Sequence, residues 1–265
     1  MQIASEDGNL FYEVRGNGPP LVLLHPYPTN HSFWNAIAEP LSLKYKLILP
    51  DLRGHGSSDT GQGAALMAAH AKDLSNICDA EGVDRALFAG VSIGGYILFE
   101  FWRRMRERVR ALMLCDTRAQ ADTAEGREAR LKIAEEVEQK GPGEYLDSMI
   151  PKLLGESTRR NRPDLVKQAR AMMGRMSVAG IAAVLRGMAV RPDSLPTLQT
   201  INVPTLIMAG EEDTLTPPAE AELMHQQIQG SRLVRIPAAG HYAPFEQPDA
   251  VLPTMRNFFE SLRGA

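Results

Sequence analysis

The sequence predicts an α/β fold: a mostly parallel, eight-stranded sheet with helices on both faces and an inserted helical cap. Short apolar runs alternate with helix-length stretches at both ends of the chain, which is typical of strand–helix–strand units. Several runs, such as residues 21–24, are continuously apolar, as in strands buried on both faces of a parallel sheet. After Asp116 the periodicity is helical to about Leu195, which predicts the cap.

The composition is that of a soluble globular protein. The chain has 265 residues, 44% hydrophobic and 23% charged, which suits one large domain or a domain with an insertion. Its formal net charge of −3 suggests no nucleic-acid or anionic-membrane partner. Residues 1–7 lack the pattern of a secretory signal, and no apolar run approaches the roughly 20 residues of a membrane span. We therefore expect a cytoplasmic monomer or homodimer that acts on a small molecule.

The two cysteines are predicted to be reduced, structural thiols. Cys115 lies in an apolar strand pattern and Cys78 in a helical one. Neither belongs to a Cys-x-x-Cys pair, which argues against a zinc or redox role.

The predicted core comprises residues 1–116 and 198–265. Its strands are short apolar or alternating runs bounded by turn residues: two within 1–15, then 21–24, 46–49, 85–89, 109–115, 204–209 and 231–236. Its helices show apolar residues at helical spacing: 32–41, 64–80, 96–105, 217–228 and 248–262.

The predicted cap covers residues 117–197. Four helices are expected there, 123–140, 143–154, 164–173 and 178–190, with turns at 141–143 and 161–163. Five methionines fall in the cap: Met149, Met172, Met173, Met176 and Met188. We interpret them mainly as core residues, although methionine also suits an adaptable pocket wall.

A Gly-x-Ser-x-Gly pattern stands between a predicted strand and a predicted helix. In that setting Gly90-Val91-Ser92-Ile93-Gly94 is a nucleophile elbow, a tight turn that exposes the serine hydroxyl. Side chains at residues 90 and 94 would collide across such a turn, which favours glycine. Gly95 is expected to let the following helix pack close to the strand. Because so short a pattern also occurs by chance, partners elsewhere in the chain must support it.

A serine nucleophile needs a histidine base, and that base needs a carboxylate. His25 and His241 follow predicted strands, where loops of an α/β sheet meet substrate. His241 is the stronger candidate, because its loop after the last strand begins with Gly240. The other histidines have simpler interpretations: His31, His70 and His225 in or next to surface helices, and His55 in a loop.

Asp213 is the predicted acid, because it directly follows a strand. Asp116 also ends a strand and is the main alternative, and Glu212 is another. The order Ser92, Asp213, His241 is the serine–acid–histidine order of one known hydrolase template.

These motifs identify a resemblance. The chain resembles α/β-hydrolase fold enzymes along almost its whole length, with small carboxylesterases, enol-lactone hydrolases and cofactor-free haloperoxidase-like proteins as the nearest group. The matching motifs are His25-Pro26-Tyr27-Pro28, Asp51-Leu52-Arg53-Gly54-His55-Gly56-Ser57-Ser58, Gly90-Val91-Ser92-Ile93-Gly94-Gly95, Gly210-Glu211-Glu212-Asp213 and Gly240-His241. The resemblance is weak in the cap, where family members differ most.

The resemblance implies an oxyanion hole made by the backbone N–H groups of Ile93 and Tyr27. Related sequences usually have His-Gly-x-Pro where this chain has His25-Pro26-Tyr27-Pro28. Proline has no N–H, so residue 26 cannot donate, whereas Tyr27 can. The two flanking prolines stiffen the Tyr27 backbone, so this loop and the width of the acyl site depart from the family pattern.

Four residues are expected to bind substrate: His25, Tyr145, Met149 and Tyr242. His25 also has a structural interpretation, in which it holds its loop by hydrogen bonds. Arg118 is a further candidate for contact with the ligand. The loop Arg53-Gly54-His55-Gly56 is interpreted mainly as a scaffold.

The predicted function is hydrolysis of a carboxylic ester or lactone through an acyl-enzyme, without a metal or organic cofactor. Three alternatives stay open. One is hydrolysis of a carbon–carbon bond in a ring-cleavage dienoate, which needs a basic residue such as Arg118 or Arg186 for the carboxylate. Another is perhydrolysis, with peroxide in place of water. The third is a slow-turnover ligand sensor of the same fold.

Overall fold

One eight-stranded sheet organises the computed structural model, which describes residues 1–262. The strands are β1 (Gln2–Ser5), β2 (Gly8–Arg15), β3 (Pro20–Leu24), β4 (Lys46–Pro50), β5 (Ala86–Val91), β6 (Val109–Cys115), β7 (Thr205–Gly210) and β8 (Arg232–Ile236). Their order is β1-β2-β4-β3-β5-β6-β7-β8. The pairs β1–β2 and β2–β4 are antiparallel, and every other pair is parallel. The predicted fold class is confirmed.

Twelve helices accompany these strands within residues 1–262. They are α1 (Asn35–Ser42), α2 (Met67–Ala80), α3 (Ile93–Met105), α4 (Ala124–Lys140), α5 (Gly143–Leu153), α6 (Glu156–Asn161), α7 (Pro163–Met173), α8 (Val178–Ala189), α9 (Leu195–Leu198), α10 (Pro218–Gln227), α11 (Ala243–Glu246) and α12 (Pro248–Ser261). Two short 3₁₀ helices, His31–Trp34 and Arg106–Arg108, precede α1 and β6.

The strand order places helices on both faces of the sheet. The connection from β3 through α1 to β4 runs in one direction along the sheet, and those through α2, α3 and α10 run in the other. Because such crossovers are right-handed, α1 lies on one face and α2, α3 and α10 on the opposite face. Packing agrees, since α1 contacts α12 and α2 contacts α3. The loops at the carboxyl ends of β3, β5, β6 and β7 therefore meet at one edge.

Helices α4 to α9 lie between β6 and β7, where the cap is predicted. The four expected helices are present, and α4 packs extensively against α8. Thr123 and Ser177 begin these two helices by accepting hydrogen bonds from Gly126 N and Gly180 N. The short helices α6 and α9 were not predicted, because fewer than two turns show no clear periodicity. The division into a core and a cap remains a prediction, and residues 263–265 of that core lie outside the described residues.

Helix α2 begins three residues later than predicted. Ala65 N donates a 2.9 Å hydrogen bond to the carbonyl oxygen of Ala183 on α8, and Leu66 is extended. A Cβ atom on Gly187 would lie 1.8 Å from the Ala65 oxygen. The backbone of residues 64–66 thus packs directly on α8, which prevents it from continuing the helix.

The environment predicted for His70 was wrong. The side chain is buried in the core side of α2, and neither ring nitrogen has a hydrogen-bond partner among residues 1–262. Cys78 and Cys115 are both buried and free, as expected, and burial raises the pKa of Cys78 to about 12. Among the same residues no helix is long and apolar enough to cross a membrane.

Candidate active site

Ser92 occupies a sharp turn between β5 and α3. Its backbone has φ 55° and ψ −114°, a strained conformation for a residue with a side chain. A Cβ atom on Gly90 would lie 2.5 Å from the Gly94 carbonyl carbon, and one on Gly94 would lie 2.9 Å from the Leu24 oxygen. Glycine is therefore required at residue 90 by the turn itself, as predicted, and at residue 94 by the close approach of strand β3.

Gly95 serves a different purpose from the one expected. A Cβ atom at this position would lie 2.4 Å from Thr117 Oγ1 in the loop after β6, rather than against β5. The space lets the Thr117 hydroxyl donate a 2.7 Å hydrogen bond to the Ser92 carbonyl oxygen. Sequence reasoning missed Thr117, although its position directly after a strand was a usable signal.

His241 and Asp213 form a buried pair. The distance from His241 Nδ1 to Asp213 Oδ2 is 2.8 Å. Asp213 also accepts hydrogen bonds from Leu215 N at 2.8 Å, Thr216 N at 3.0 Å and Thr216 Oγ1 at 2.6 Å. These donors hold the carboxylate in place and favour its charged form. Thr216 is a second residue that sequence reasoning missed.

The electrostatics of the pair favour an ionised acid next to a basic imidazole. Burial by itself would raise the pKa of Asp213, but the charge of His241 and the surrounding hydrogen bonds lower it below its usual range. Burial by itself would lower the pKa of His241, but the Asp213 carboxylate raises it above 6.5. The carboxylate thus makes the imidazole a stronger base than its buried position alone would allow.

The two alternative acids are engaged elsewhere. Asp116 accepts hydrogen bonds from Gly210 N at 2.8 Å and from Ala243 N at 3.1 Å, so it links the end of β7 to α11. Burial and the nearby Asp213 charge raise the pKa of Asp116 to about 8. Glu212 accepts hydrogen bonds from the backbone and hydroxyl of Ser157. The geometry therefore brings Asp213, and neither alternative, against His241 Nδ1.

Glu246 holds the loop that carries His241. Its carboxylate accepts hydrogen bonds from Gly155 N at 2.8 Å, Gly240 N at 2.9 Å and Tyr242 N at 3.2 Å. The side chain is buried, so these amides replace water around the charge. No sequence motif signalled this role, because it depends on two distant loops meeting at α11.

The loop after β3 is fixed through the Pro26 carbonyl oxygen. That oxygen accepts hydrogen bonds from Thr29 N at 3.0 Å and Thr29 Oγ1 at 2.7 Å. The Tyr27–Pro28 peptide bond is cis. Within residues 1–262 the backbone N–H groups of Tyr27 and Ile93 donate to no protein acceptor. Both remain available for a ligand oxygen.

Ser92 and His241 share one small cavity of about 80 Å³. Tyr145 and Met149 on α5, which were expected to bind substrate, line it, and Arg118 and Arg130 supply positive charge. The complete lining is Tyr27, Ser92, Tyr96, Arg118, Arg130, Tyr145, Met149, Leu153, Met188, Leu215, Thr216 and His241. Arg130 is a third residue that sequence reasoning missed; it lies on α4, far from any motif.

Two predicted substrate contacts need correction, because His25 and Tyr242 do not line this cavity. His25 is buried; its Nε2 accepts a 3.0 Å hydrogen bond from Leu52 N, and its Nδ1 lies 3.0 Å from the Pro26 carbonyl oxygen. The Tyr242 hydroxyl donates a 3.0 Å hydrogen bond to the Tyr27 carbonyl oxygen. Both side chains hold the loop after β3, which matches the structural interpretation of His25.

The described part of the chain contains no cluster of three or more histidine, cysteine or acidic side chains that could hold a metal ion. The features at this edge of the sheet are a serine in a cavity wall, a carboxylate-bound imidazole and two free amides. Residues 19–248 match the alpha/beta hydrolase fold family. The chain belongs to this family.

Solved structures and curated proteins of the family resemble the chain over nearly its full length. A thermophilic esterase from Thermogutta terrifontis, solved with malate bound, is 39% identical, with a TM-score of 0.96 over 99% of this chain and 98% of its own. The enol-lactonase from Burkholderia xenovorans is 25% identical, with a TM-score of 0.91 over 98% and 100% of the two chains. 3-Oxoadipate enol-lactonase 1 from Acinetobacter baylyi is 28% identical over 93% of this chain and 91% of its own.

Proposed function

We propose that this hydrolase-family protein is a serine hydrolase that cleaves a small carboxylic ester or lactone through an acyl-enzyme. One observation carries the proposal: Ser92 and His241 line the same cavity, while Asp213 engages the other side of the imidazole through Nδ1. That arrangement leaves His241 Nε2 to accept the serine proton. The similarity to an esterase and to two enol-lactonases supports the same reaction class.

In the acylation step, His241 Nε2 takes the proton of Ser92 Oγ as that oxygen attacks the substrate carbonyl carbon. The carbonyl oxygen becomes an oxyanion, which the N–H groups of Tyr27 and Ile93 stabilise. Collapse of the intermediate breaks the bond to the leaving oxygen, which receives the proton from His241. Asp213 stabilises the imidazolium that exists between these proton transfers.

In the deacylation step, His241 takes a proton from water, and the resulting hydroxide attacks the acyl carbon. Ser92 Oγ then leaves and recovers its proton from His241. The products are a carboxylic acid and the free enzyme. For a lactone, the alcohol and the acid remain parts of one molecule.

The cavity favours a short substrate. Its volume of about 80 Å³ is well below the roughly 300–1,000 Å³ of pockets for larger ligands. Its apolar wall includes Met149, Leu153, Met188 and Leu215. Esters of short acyl chains are therefore expected to react faster than esters of long chains.

The test is a comparison of wild type, Ser92→Ala and Ser42→Ala with p-nitrophenyl acetate. Ser42 lies at the exposed end of α1, where its hydroxyl donates to the Glu39 carbonyl oxygen, so its variant is the matched control. We expect multiple turnovers by wild type and control, and a kcat about 10⁶-fold lower for Ser92→Ala. Normal turnover by Ser92→Ala would refute the proposal. A single acylation followed by stalled release would instead favour the ligand-sensor alternative.

A further inference from the structure

We propose that the preferred substrate carries a carboxylate in addition to its ester or lactone group, and that Arg118 and Arg130 bind that carboxylate. The identity of the reacting group rests on the function proposed above. The anion site itself rests on the charge and position of the two arginines.

Both arginines belong to the wall of the cavity that contains Ser92 and His241. Arg118 lies in the loop after β6, and Arg130 lies on α4. Because the cavity measures only about 80 Å³, any molecule that fills it next to the serine lies close to these cations.

The arginines have too little negative charge around them. Arg118 Nη2 and Arg191 Nη1 lie 3.1 Å and 2.6 Å from Asp122 Oδ1, and Arg130 Nε lies 2.5 Å from Oδ2. Burial would raise the pKa of Asp122, but the arginines hold it below its usual range, so the carboxylate is charged. Three cations thus share one anion, which leaves two positive charges in excess.

Arg191, in contrast, does not line the cavity. Its guanidinium stacks 4.3 Å above the centre of the Tyr96 ring and donates to the Gln120 carbonyl oxygen at 2.6 Å. Asp213, the other acid at this site, is engaged by His241 and Thr216. Of the three arginines, Arg118 and Arg130 line the cavity, so a ligand there would meet these two cations.

The same two side chains keep unused hydrogen-bond donors. Arg118 Nε is buried and has no acceptor among the described residues. Arg130 uses Nε for Asp122 and places Nη1 3.7 Å from the Met188 sulfur, a weak acceptor. Partly buried cations with free donors are unfavourable without an anion, and a carboxylate supplies both charge and acceptors.

A second hollow, next to the cavity, has one more basic than acidic side chain in its wall. This larger hollow of about 380 Å³ shares Arg130, Tyr145, Met149 and Leu215 with the cavity, so these side chains separate the two spaces. Its charged side chains are three basic and two acidic: Arg130, Lys140, Lys152, Glu136 and Glu144. Arg130 thus faces an incoming anion on both sides of the boundary.

The test uses two esters of nearly equal shape: monoethyl succinate, which carries a carboxylate, and ethyl 4-methylpentanoate, in which an isopropyl group replaces it. The measured quantity is the ratio of their kcat/KM values. The variants are Arg118→Gln and Arg130→Gln. Arg186→Gln is the control, because Arg186 pairs with Glu138 on the protein surface and does not line the cavity.

We expect the wild-type ratio to favour the carboxylate ester by at least about 10-fold, and to fall about 10- to 100-fold in each cavity variant but not in the control. A wild-type ratio near one, or a ratio that neither cavity variant lowers, would overturn the proposal. Should a variant fail to fold, succinate must still inhibit wild-type hydrolysis of the neutral ester more strongly than uncharged succinamide does. Equal inhibition would also overturn it.

Failure of the reaction is distinguishable from failure of the anion site. Should wild type hydrolyse neither these esters nor p-nitrophenyl acetate, the function proposed above is wrong. The anion site is then tested by calorimetry, which measures the binding of succinate and of succinamide to wild type and to Arg118→Gln. The anion site is supported if wild type binds succinate but not succinamide and if Arg118→Gln no longer binds succinate. Absence of succinate binding to wild type excludes the anion site.

Discussion

Asp213 Oδ2 lies 2.8 Å from His241 Nδ1, and Asp213 Oδ1 accepts hydrogen bonds from the backbone N–H groups of Leu215 and Thr216 in the loop after β7. The contact raises the pKa of His241 despite the burial of the ring and lowers that of Asp213. Asp213 is therefore the main group that favours proton binding by the imidazole, with further contributions from the Asp116 and Glu246 carboxylates. Asp116, which ends the adjacent strand, is directed instead to backbone amides.

The first prediction concerns the acidic limb of the pH–rate profile. The neutral imidazole is the base, so kcat/KM should fall as pH drops through a His241 pKa that lies above 6.5. Asp213→Asn should move this limb to lower pH and reduce kcat about 10⁴-fold, as expected when an orienting carboxylate is lost. Profiles of ester hydrolysis from pH 4 to 9 measure both effects.

Asp116→Asn is the matched control for this experiment, because it is the same chemical change in a carboxylate that does not contact the imidazole nitrogen. We expect it to lose less than about 10-fold in kcat. A larger loss from Asp116→Asn than from Asp213→Asn would show that the acid has been assigned to the wrong residue.

The second prediction concerns stability in acid. Burial lowers the pKa of His25 to about 4 and that of His70 to about 3, and it lowers the pKa of His55 well below 6.5. Below pH 6.5 the unfolded chain binds protons that the folded chain does not, so the free energy of unfolding should fall as pH drops from 6.5 towards 4. Each of these histidines contributes up to about 2 kcal/mol of loss at pH 5.

His70→Leu tests this directly, because both ring nitrogens of His70 lack partners and nothing polar is left unsatisfied by the change. Urea unfolding at pH 7 and pH 5 should show a smaller loss of stability in the variant than in wild type. His225→Leu is the control, since His225 is an exposed residue of α10 whose ring bonds Ser231. An equal loss in His70→Leu and wild type would contradict the prediction.

The third prediction concerns the support of the nucleophile turn. Thr117→Val removes the hydroxyl that donates to the Ser92 carbonyl oxygen while keeping the side-chain volume. We expect a loss of about 1 kcal/mol in the free energy of unfolding, with a severalfold lower kcat, because the strained turn loses one of its constraints. Urea unfolding and ester kinetics on the same preparation measure the two quantities.

Thr254→Val provides the comparison, because the Thr254 hydroxyl only bonds the Ala250 carbonyl oxygen within α12. Its kcat should equal that of wild type. A Thr117→Val protein with wild-type kcat would show that the hydroxyl stabilises the turn without positioning the serine.

The sequence by itself determined the fold and the local chemistry of single segments. Apolar runs marked the strands, helical periodicity marked the longer helices, and the glycines around Ser92 marked the turn, because each pattern reports burial and backbone conformation within one stretch of chain. Tyr145 and Met149, two of the residues expected to bind substrate, line the cavity that contains Ser92.

Only the tertiary structure decided which side chains from different loops meet. It placed Asp213 rather than Asp116 against His241, moved His25 and Tyr242 out of the cavity wall, and brought Arg118 and Arg130 into it. Such contacts depend on strand order, crossover direction and the packing of α4 and α5 over the sheet edge. No local periodicity encodes them, because the residues that meet lie far apart in the chain, as do Tyr27 and Tyr242 with a separation of 215 positions.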